Sequence, residues 1–224
     1  MRRALAALAA LAALVAVTGA ACGGPQPPAP PAPARAAADT ASRAVQDTLA
    51  SDLIPAGHGS LRQDDVAIRL PTAALVVRAI PLDESVIRTL SPDSYRALHD
   101  LVASRRAQAD SIARRAGAPR VRVWYVTFNG IEPEARFSPM DLLVSSAGRE
   151  FRPLDVIPLT RGFGEQRVRQ REPQSALYVF DGALDVSQPV VVAYEGTQSA
   201  AWAQALRRVE RERALVRSRA ARRP

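Results

Sequence analysis

Few side chains in this 224-residue sequence carry reactive chemistry, and they are scattered. There is one thiol, Cys22, so no internal disulfide can form and the fold must stand on packing. The two imidazoles are His58 and His99. His58 lies in Gly57-His58-Gly59-Ser60, where a serine beside a histidine invites a nucleophilic reading. No strand–turn–helix elbow surrounds that serine, which argues against it. His99 falls at the rim of an apolar helical stripe, where an imidazole packs its ring. The histidines lack metal-ligand spacing, and Met140 is the only methionine besides the initiator. Asp64-Asp65 and Asp83-Glu84 are short acidic pairs without the many-oxygen, glycine-containing loop that calcium wants. Arg161-Gly162-Phe163-Gly164 holds two glycines but is not a phosphate loop. The expectation is a protein with no catalytic set, no metal and no cofactor.

Charge is the next chemical resource. The formal net charge is +8 and the isoelectric point about 10.9. Every basic residue is arginine, in a chain rich in alanine and proline. GC-rich coding produces that composition, so the arginines are weak grounds for a nucleic-acid ligand. The one patch with electrostatic consequence is the tail from Arg213 through Arg217 to Arg223. It can meet anionic headgroups or an acidic protein surface, at about 1 kcal/mol per charge near a membrane. The blander reading is a solvated helix end.

The N-terminus says where these groups act. Met1-Arg2-Arg3 is a positive start, Ala4 to Val17 an apolar run, and Thr18-Gly19-Ala20-Ala21 a set of small residues before Cys22. That is the layout of an export signal. It resembles a bacterial lipoprotein signal, in which the cysteine after the cut receives lipid; Gly19 stands where that family usually has leucine. The resemblance implies lipid on Cys22 and, with Gly23 next, an outer-membrane destination facing the periplasm or the cell surface. More than one acyl chain holds stably, each buried methylene contributing about 0.8 kcal/mol. Pro25 to Arg35 then predicts an extended spacer, on the order of 30 Å at about 3.1 Å per residue. Export also disfavours nucleic acid as a partner.

Thr40 to Leu53 predicts a short helix, with Ala44, Val45, Leu49 and Leu53 at helical spacing. Val66 to Leu70 and Ala74 to Ile80 read as strands parted at Pro71. Ser91, Pro92 and Asp93 open a long helix that Gly117 and Pro119 stop. Its stripe of Tyr95, Leu98, Val102, Ala109 and Ile112 should lie on the outside of a sheet. Val121 to Phe128 alternates, with Val121, Val123 and Tyr125 on one face and Trp124, Val126 and Phe128 on the other. Asn129-Gly130 reads as a turn, and Ala147-Gly148 as a hairpin between strands at 140–146 and 149–157. A short charged edge strand at 166–169 and strands at 175–182 and 188–196 complete the set. From 198 to 219 a helix carries Trp202, Leu206 and Val209; its first half should pack and its second half fray. Seven or eight short strands with turn signals between them argue for a β-sandwich.

The order of features "TFNG", "FSPMDLLV", Gly148 with "FRP", "LYVFDG" and "PVVVAYEG" resembles the immunoglobulin-like domains of small bacterial lipoproteins. The resemblance implies a mainly β, immunoglobulin-like sandwich of about seven strands, with an inserted amphipathic helix and a C-terminal helix. The expected organisation is a signal over 1–21, the lipidated cysteine and linker over 22–39, a short helix and loop over 40–60, the sandwich over 61–197 with its inserted helix at 92–116, and a C-terminal helix with basic tail over 198–224. The expected function is a lipid-anchored, non-catalytic module that recognises another envelope protein or component. The expected contact surfaces are edge strands or the Arg161–Arg171 loop, with Arg161, Phe163, Arg167 and Arg169 as candidate contact residues there and Arg213 and Arg217 in the tail. The rivals are an envelope enzyme or ligand carrier, which would need a polar pocket gathering carboxylates around His58 or His99, and a purely structural lipoprotein.

Overall fold

The computed structural model describes residues 53–169 and 172–221. The chain divides into two compact units, Met1–Gln46 and Asp47–Pro224, and every described residue belongs to the second. The export signal, Cys22, the spacer, Arg171 and all but the last residue of the expected helix at 40–53 lie outside the described residues.

In chain order the elements are β1 (Ile68–Pro71), β2 (Leu75–Pro81), α1 (Glu84–Ile87), α2 (Pro92–Ala116), β3 (Val121–Gly130), β4 (Ala135–Arg136), β5 (Leu143–Ser146), β6 (Arg149–Phe151), β7 (Asp155–Pro158), β8 (Arg167–Val168), β9 (Gln174–Asp181), β10 (Val190–Tyr194), β11 (Thr197–Ser199) and α3 (Trp202–Ala221). They make three antiparallel sheets: β1-β2-β3-β9-β7, β11-β10-β5-β6 and the ribbon β4-β8.

Helix occupies 36% of the described residues and strand 34%, so the expectation of a mainly β, immunoglobulin-like sandwich is overturned and the domain is mixed α/β. The reason lies in β9. Ser175 through Phe180 are all buried, on both faces of the strand. One face joins the interior with Trp124, Val126 and Phe128 of β3; the other turns Leu177 and Val179 towards Val123 and Tyr125. Helix α2 lies along that second face, in contact with β3, β7 and β9, and an ion pair from Arg115 to Asp155 (2.7 Å) ties its end to β7. A layer of helix over a sheet is a different architecture from two sheets alone.

Local sequence explains most boundaries. Pro92 begins α2 and Gly117 ends it in the left-handed region, at φ 65°. Ser91 occupies the capping position, but its hydroxyl meets Ser94 Oγ at 3.1 Å and makes no cap to the backbone. Ala147-Gly148 and Glu195-Gly196 both have positive φ at two successive residues, the mirror-image turn that matches strand twist, and join β5 to β6 and β10 to β11. Asn129-Gly130 does not turn: both residues stay in β3, paired with Val76 and Leu75. The single strand expected at 149–157 is two, broken at Pro153, and they belong to different sheets. The C-terminal helix starts at Trp202, because Thr197–Ser199 pair with β10.

The five- and four-stranded sheets share one core. Phe128 of β3 meets Tyr194 of β10 at 5.6 Å between ring centres and stacks on Phe137 at 4.4 Å. Trp202 is fully buried and donates its Nε1 hydrogen to Val186 O at 2.9 Å. Among the described residues no helix is long and apolar enough to cross a membrane.

Candidate functional site

Polar chemistry collects in three places, and geometry separates them. The first is the Gly57-His58-Gly59-Ser60 stretch. The Ser60 amide and hydroxyl both donate to Glu212 Oε1 of α3, each at 2.9 Å. Arg219 donates to the same oxygen at 2.7 Å and to the His58 carbonyl at 2.9 Å. Two more arginines of α3 grip backbone: Arg208 holds Asp65 O at 3.0 and 2.8 Å, and Arg213 holds Ser85 O at 3.1 and 2.8 Å. Gly59 is required by contact, since a Cβ there would fall 2.2 Å from the Thr89 carbonyl carbon. Ser60 is therefore held by a carboxylate and three arginines brace its surroundings; the stretch is a clamp. The second half of α3 does not fray: it is helical to Ala221, with Glu212 and Val216 buried. Arg213, offered from the sequence as a contact for anionic headgroups or an acidic protein surface, is engaged here on Ser85 O. Arg217 is exposed and is also engaged within the fold.

The second place surrounds His99. Its Nδ1 lies 2.8 Å from Glu84 Oε1, and its ring stacks on Tyr95 at 5.2 Å. Glu84 Oε2 accepts from Arg88 Nε at 2.6 Å and from the Tyr95 hydroxyl at 3.4 Å. Burial, then the Glu84 charge, pushes the Tyr95 hydroxyl above the usual phenol range. A carboxylate orienting an imidazole is one part of a nucleophile relay. The hydrogen-bond partners of this imidazole among the described residues are Glu84 and Tyr95, neither of them a serine, threonine or cysteine. Glu84 joins α1 to α2, and Arg88 extends the tie to Ile54 O at 3.2 Å. Among the described residues no three His, Cys, Asp or Glu side chains are grouped to hold a metal.

The third place is a cleft of about 370 Å³ lined by Arg136, Phe137, Ser138, Glu165, Gln166, Arg167 and Glu195. Three separate elements build it: the β4-β8 ribbon, the helical turn Arg161–Glu165 with Gln166, and the β10–β11 turn. Phe163 anchors the second. It is buried at 3% exposure and packs on Phe137 at 5.1 Å and Phe128 at 6.2 Å. It is thus a core residue, where the sequence suggested a contact residue. Arg161, Arg167 and Arg169 from the same loop are exposed, and of these Arg167 lines the cleft.

Two features mark this cleft. Arg136 and Arg167 are direct partners across the ribbon, so their side chains share one face. Like charges so placed repel, at about 0.5 kcal/mol. Relief inside the protein is slight: Arg167 reaches Glu134 at 3.5 Å, with both groups exposed, and Arg136 has no ion-pair partner among the described residues. In addition, four non-glycine described residues have positive φ, and two of them, Gln166 (53°) and Glu195 (46°), line the cleft. A third, Glu134 (54°), pairs with Arg167. Left-handed backbone costs such residues about 1–2 kcal/mol each, and strain of this kind gathers at functional sites.

Behind the cleft, the Ser138 amide donates to the Tyr194 hydroxyl at 2.9 Å. Burial foremost, opposed by that amide and assisted by a hydrogen bond with Glu195, pushes the Tyr194 hydroxyl well above the usual phenol range. Burial above all raises the Tyr178 hydroxyl as well, and among the described residues this buried hydroxyl has no hydrogen-bond partner.

Sequence reasoning missed Arg136 and Glu195, and singled out neither Glu165 nor Gln166 within the loop it did offer. One local signal was present: Glu195 precedes glycine in a mirror-image turn, a position that asparagine or aspartate normally takes. No protein-family model matches this chain, and neither a curated protein nor a solved structure matches it.

Proposed function

We propose that this protein is a non-catalytic binding module of the bacterial cell envelope, tethered through lipid on Cys22, that recognises another envelope protein or component at the ribbon cleft. One observation carries the choice of site. The cleft is where two arginines oppose each other, one of them (Arg167) reaching only the exposed Glu134 at 3.5 Å and the other (Arg136) with no ion-pair partner among the described residues, and where strained glutamate and glutamine backbones converge. Polar groups at the two rival places are consumed by the fold itself, Glu212 by Ser60 and Arg219, Glu84 by Arg88, His99 and Tyr95.

A photo-crosslinker placed at Gln166 tests the site in cells. The expected result is one reproducible envelope neighbour, lost when Arg136→Glu is added and absent from a crosslinker at Asp110 on the outer face of α2. Capture that ignores the Arg136 change would reject the cleft as the contact. The tether is tested by Cys22→Ser: fatty-acid labelling should vanish and the protein should leave the membrane fraction.

A further inference from the structure

The cleft's charges say more about its occupant, on the premise that it is the binding site. Arg136 and Arg167 stand side by side on paired strands. Two guanidinium forks on one face are the arrangement that takes an oxyanion, because planar donors match the two oxygens of a carboxylate or phosphate. An anion between them would also remove the cross-strand repulsion that the fold leaves standing. The lining contains two further charges, Glu165 and Glu195, which come from different elements than the arginines. They make the fully ionised lining neutral, two positive against two negative. A dianion such as phosphate would satisfy the arginines and be repelled by both carboxylates. A ligand carrying one negative and one positive group satisfies all four.

We infer that the cleft binds a small zwitterion in which a carboxylate neighbours an ammonium, the chemistry of an amino acid or a short peptide with free ends, with the carboxylate on Arg136 and Arg167 and the ammonium on Glu165 and Glu195. Glu195 is held for this role. Its left-handed backbone sets the direction in which the side chain leaves the turn, and the Ser138 amide on the Tyr194 hydroxyl fixes the neighbouring tyrosine. This accounts for glutamate at a turn position that a smaller residue would fill with less strain. The volume of about 370 Å³ lies within the range of small-molecule pockets.

Calorimetric titration of the full chain in detergent tests this with four probes: dialanine, its N-acetylated form, its C-terminal amide, and inorganic phosphate. Dialanine should bind most tightly, and acetylation or amidation should each weaken it by about tenfold or more. Arg136→Ala should weaken dialanine by at least that factor. Arg136→Lys, which keeps the charge and loses the fork, should weaken it less but measurably. Because Arg136 is exposed, both variants should fold, and circular dichroism checks that they do. Phosphate binding as tightly as dialanine would overturn the assignment, as would blocked and free dialanine binding equally, no probe binding at all, or indifference to Arg136→Ala. Any of these overturning results, together with an intact Gln166 crosslink, would remove the ligand class and leave the partner-binding reading standing.

Discussion

Glu212 and Glu195 are both acids on one domain, and their surroundings are opposites. Glu212 is 4% exposed, and one of its oxygens collects three donors from Ser60 and Arg219. Around it, arginines cap backbone carbonyls, and Gly59 fits a gap that admits no side chain. Glu195 sits on an exposed turn in left-handed backbone, beside arginines that repel one another. Charge has been used up at the clamp and left over at the cleft. Where donors and acceptors close on each other, a polar cluster holds the fold. Where they remain open at the expense of strain, the cluster adds little to the fold and marks a candidate site. The difference also corrects a tempting reading, since the histidine–serine motif belongs to the closed region and the open region contains no histidine.

The contrast can be broken by substitution. The largest effect is expected at Phe163, which pins the cleft loop to the core: Phe163→Ala should cost about 3 kcal/mol in urea denaturation. Arg161→Ala in the same loop should stay within about 0.5 kcal/mol. Similar values for the two would mean that the loop is not anchored as described. Next comes the clamp. Glu212→Ala should lose about 2 kcal/mol by stranding the Ser60 and Arg219 donors, while Glu212→Gln, which keeps an acceptor oxygen, should lose about 1 kcal/mol. Equal losses would point to packing volume in place of hydrogen bonding.

The cleft should respond with the opposite sign. Gln166→Gly is expected to stabilise by about 1 kcal/mol, because glycine adopts φ 53° without a Cβ clash. Glu195→Gly, at φ 46°, should gain a similar amount, and it should abolish zwitterion binding. Substitutions that raise stability and lower binding together would be the signature of strain kept for function; a loss of stability in both would end the comparison. The smallest effect concerns a control outside both regions. Asp64 lies between Arg69 (3.0 Å) and Arg78 (3.1 Å), and the hydrogen bond from Arg69 chiefly lowers its pKa below the usual carboxylate value. A folded-state pKa below the unfolded one stabilises above the unfolded value and loses that contribution as pH falls through the folded value. The Asp64 side chain is 61% exposed, so solvent screening limits the contribution to about 0.5 kcal/mol. The stability difference between the native protein and Asp64→Asn should be present at neutral pH and vanish in strong acid.

Much of the secondary structure was legible. The alternation of Val121 to Phe128, the Ala147-Gly148 hairpin and the helix between Pro92 and Gly117 are local features, and they appear where the local signals put them. The errors came from partners distant in sequence. Asn129-Gly130 carries a turn signal that pairing with β2 overrides. The tail after Glu212 reads as solvated, because the groups that hold Arg213 and Arg219 lie some 130 to 160 residues earlier. Ser175 to Phe180 has no single apolar face, since helix covers one side and sheet the other. The cleft was half visible, through the Arg161 to Arg169 loop, but Arg136 and Glu195 come from elements that no spacing links to it.

By itself the sequence determined which segments extend and which coil, because periodicity and turn residues act within a few positions. It also determined that the one thiol, Cys22, follows an apolar run near the start of the chain. Only the tertiary structure decided that Glu212 closes on Ser60 across 152 residues while Arg136 is set against Arg167 on paired strands. The physical reason is that hydrogen bonds and charge pairs act over a few ångströms of space, and the distance along the chain between their members carries no trace of them.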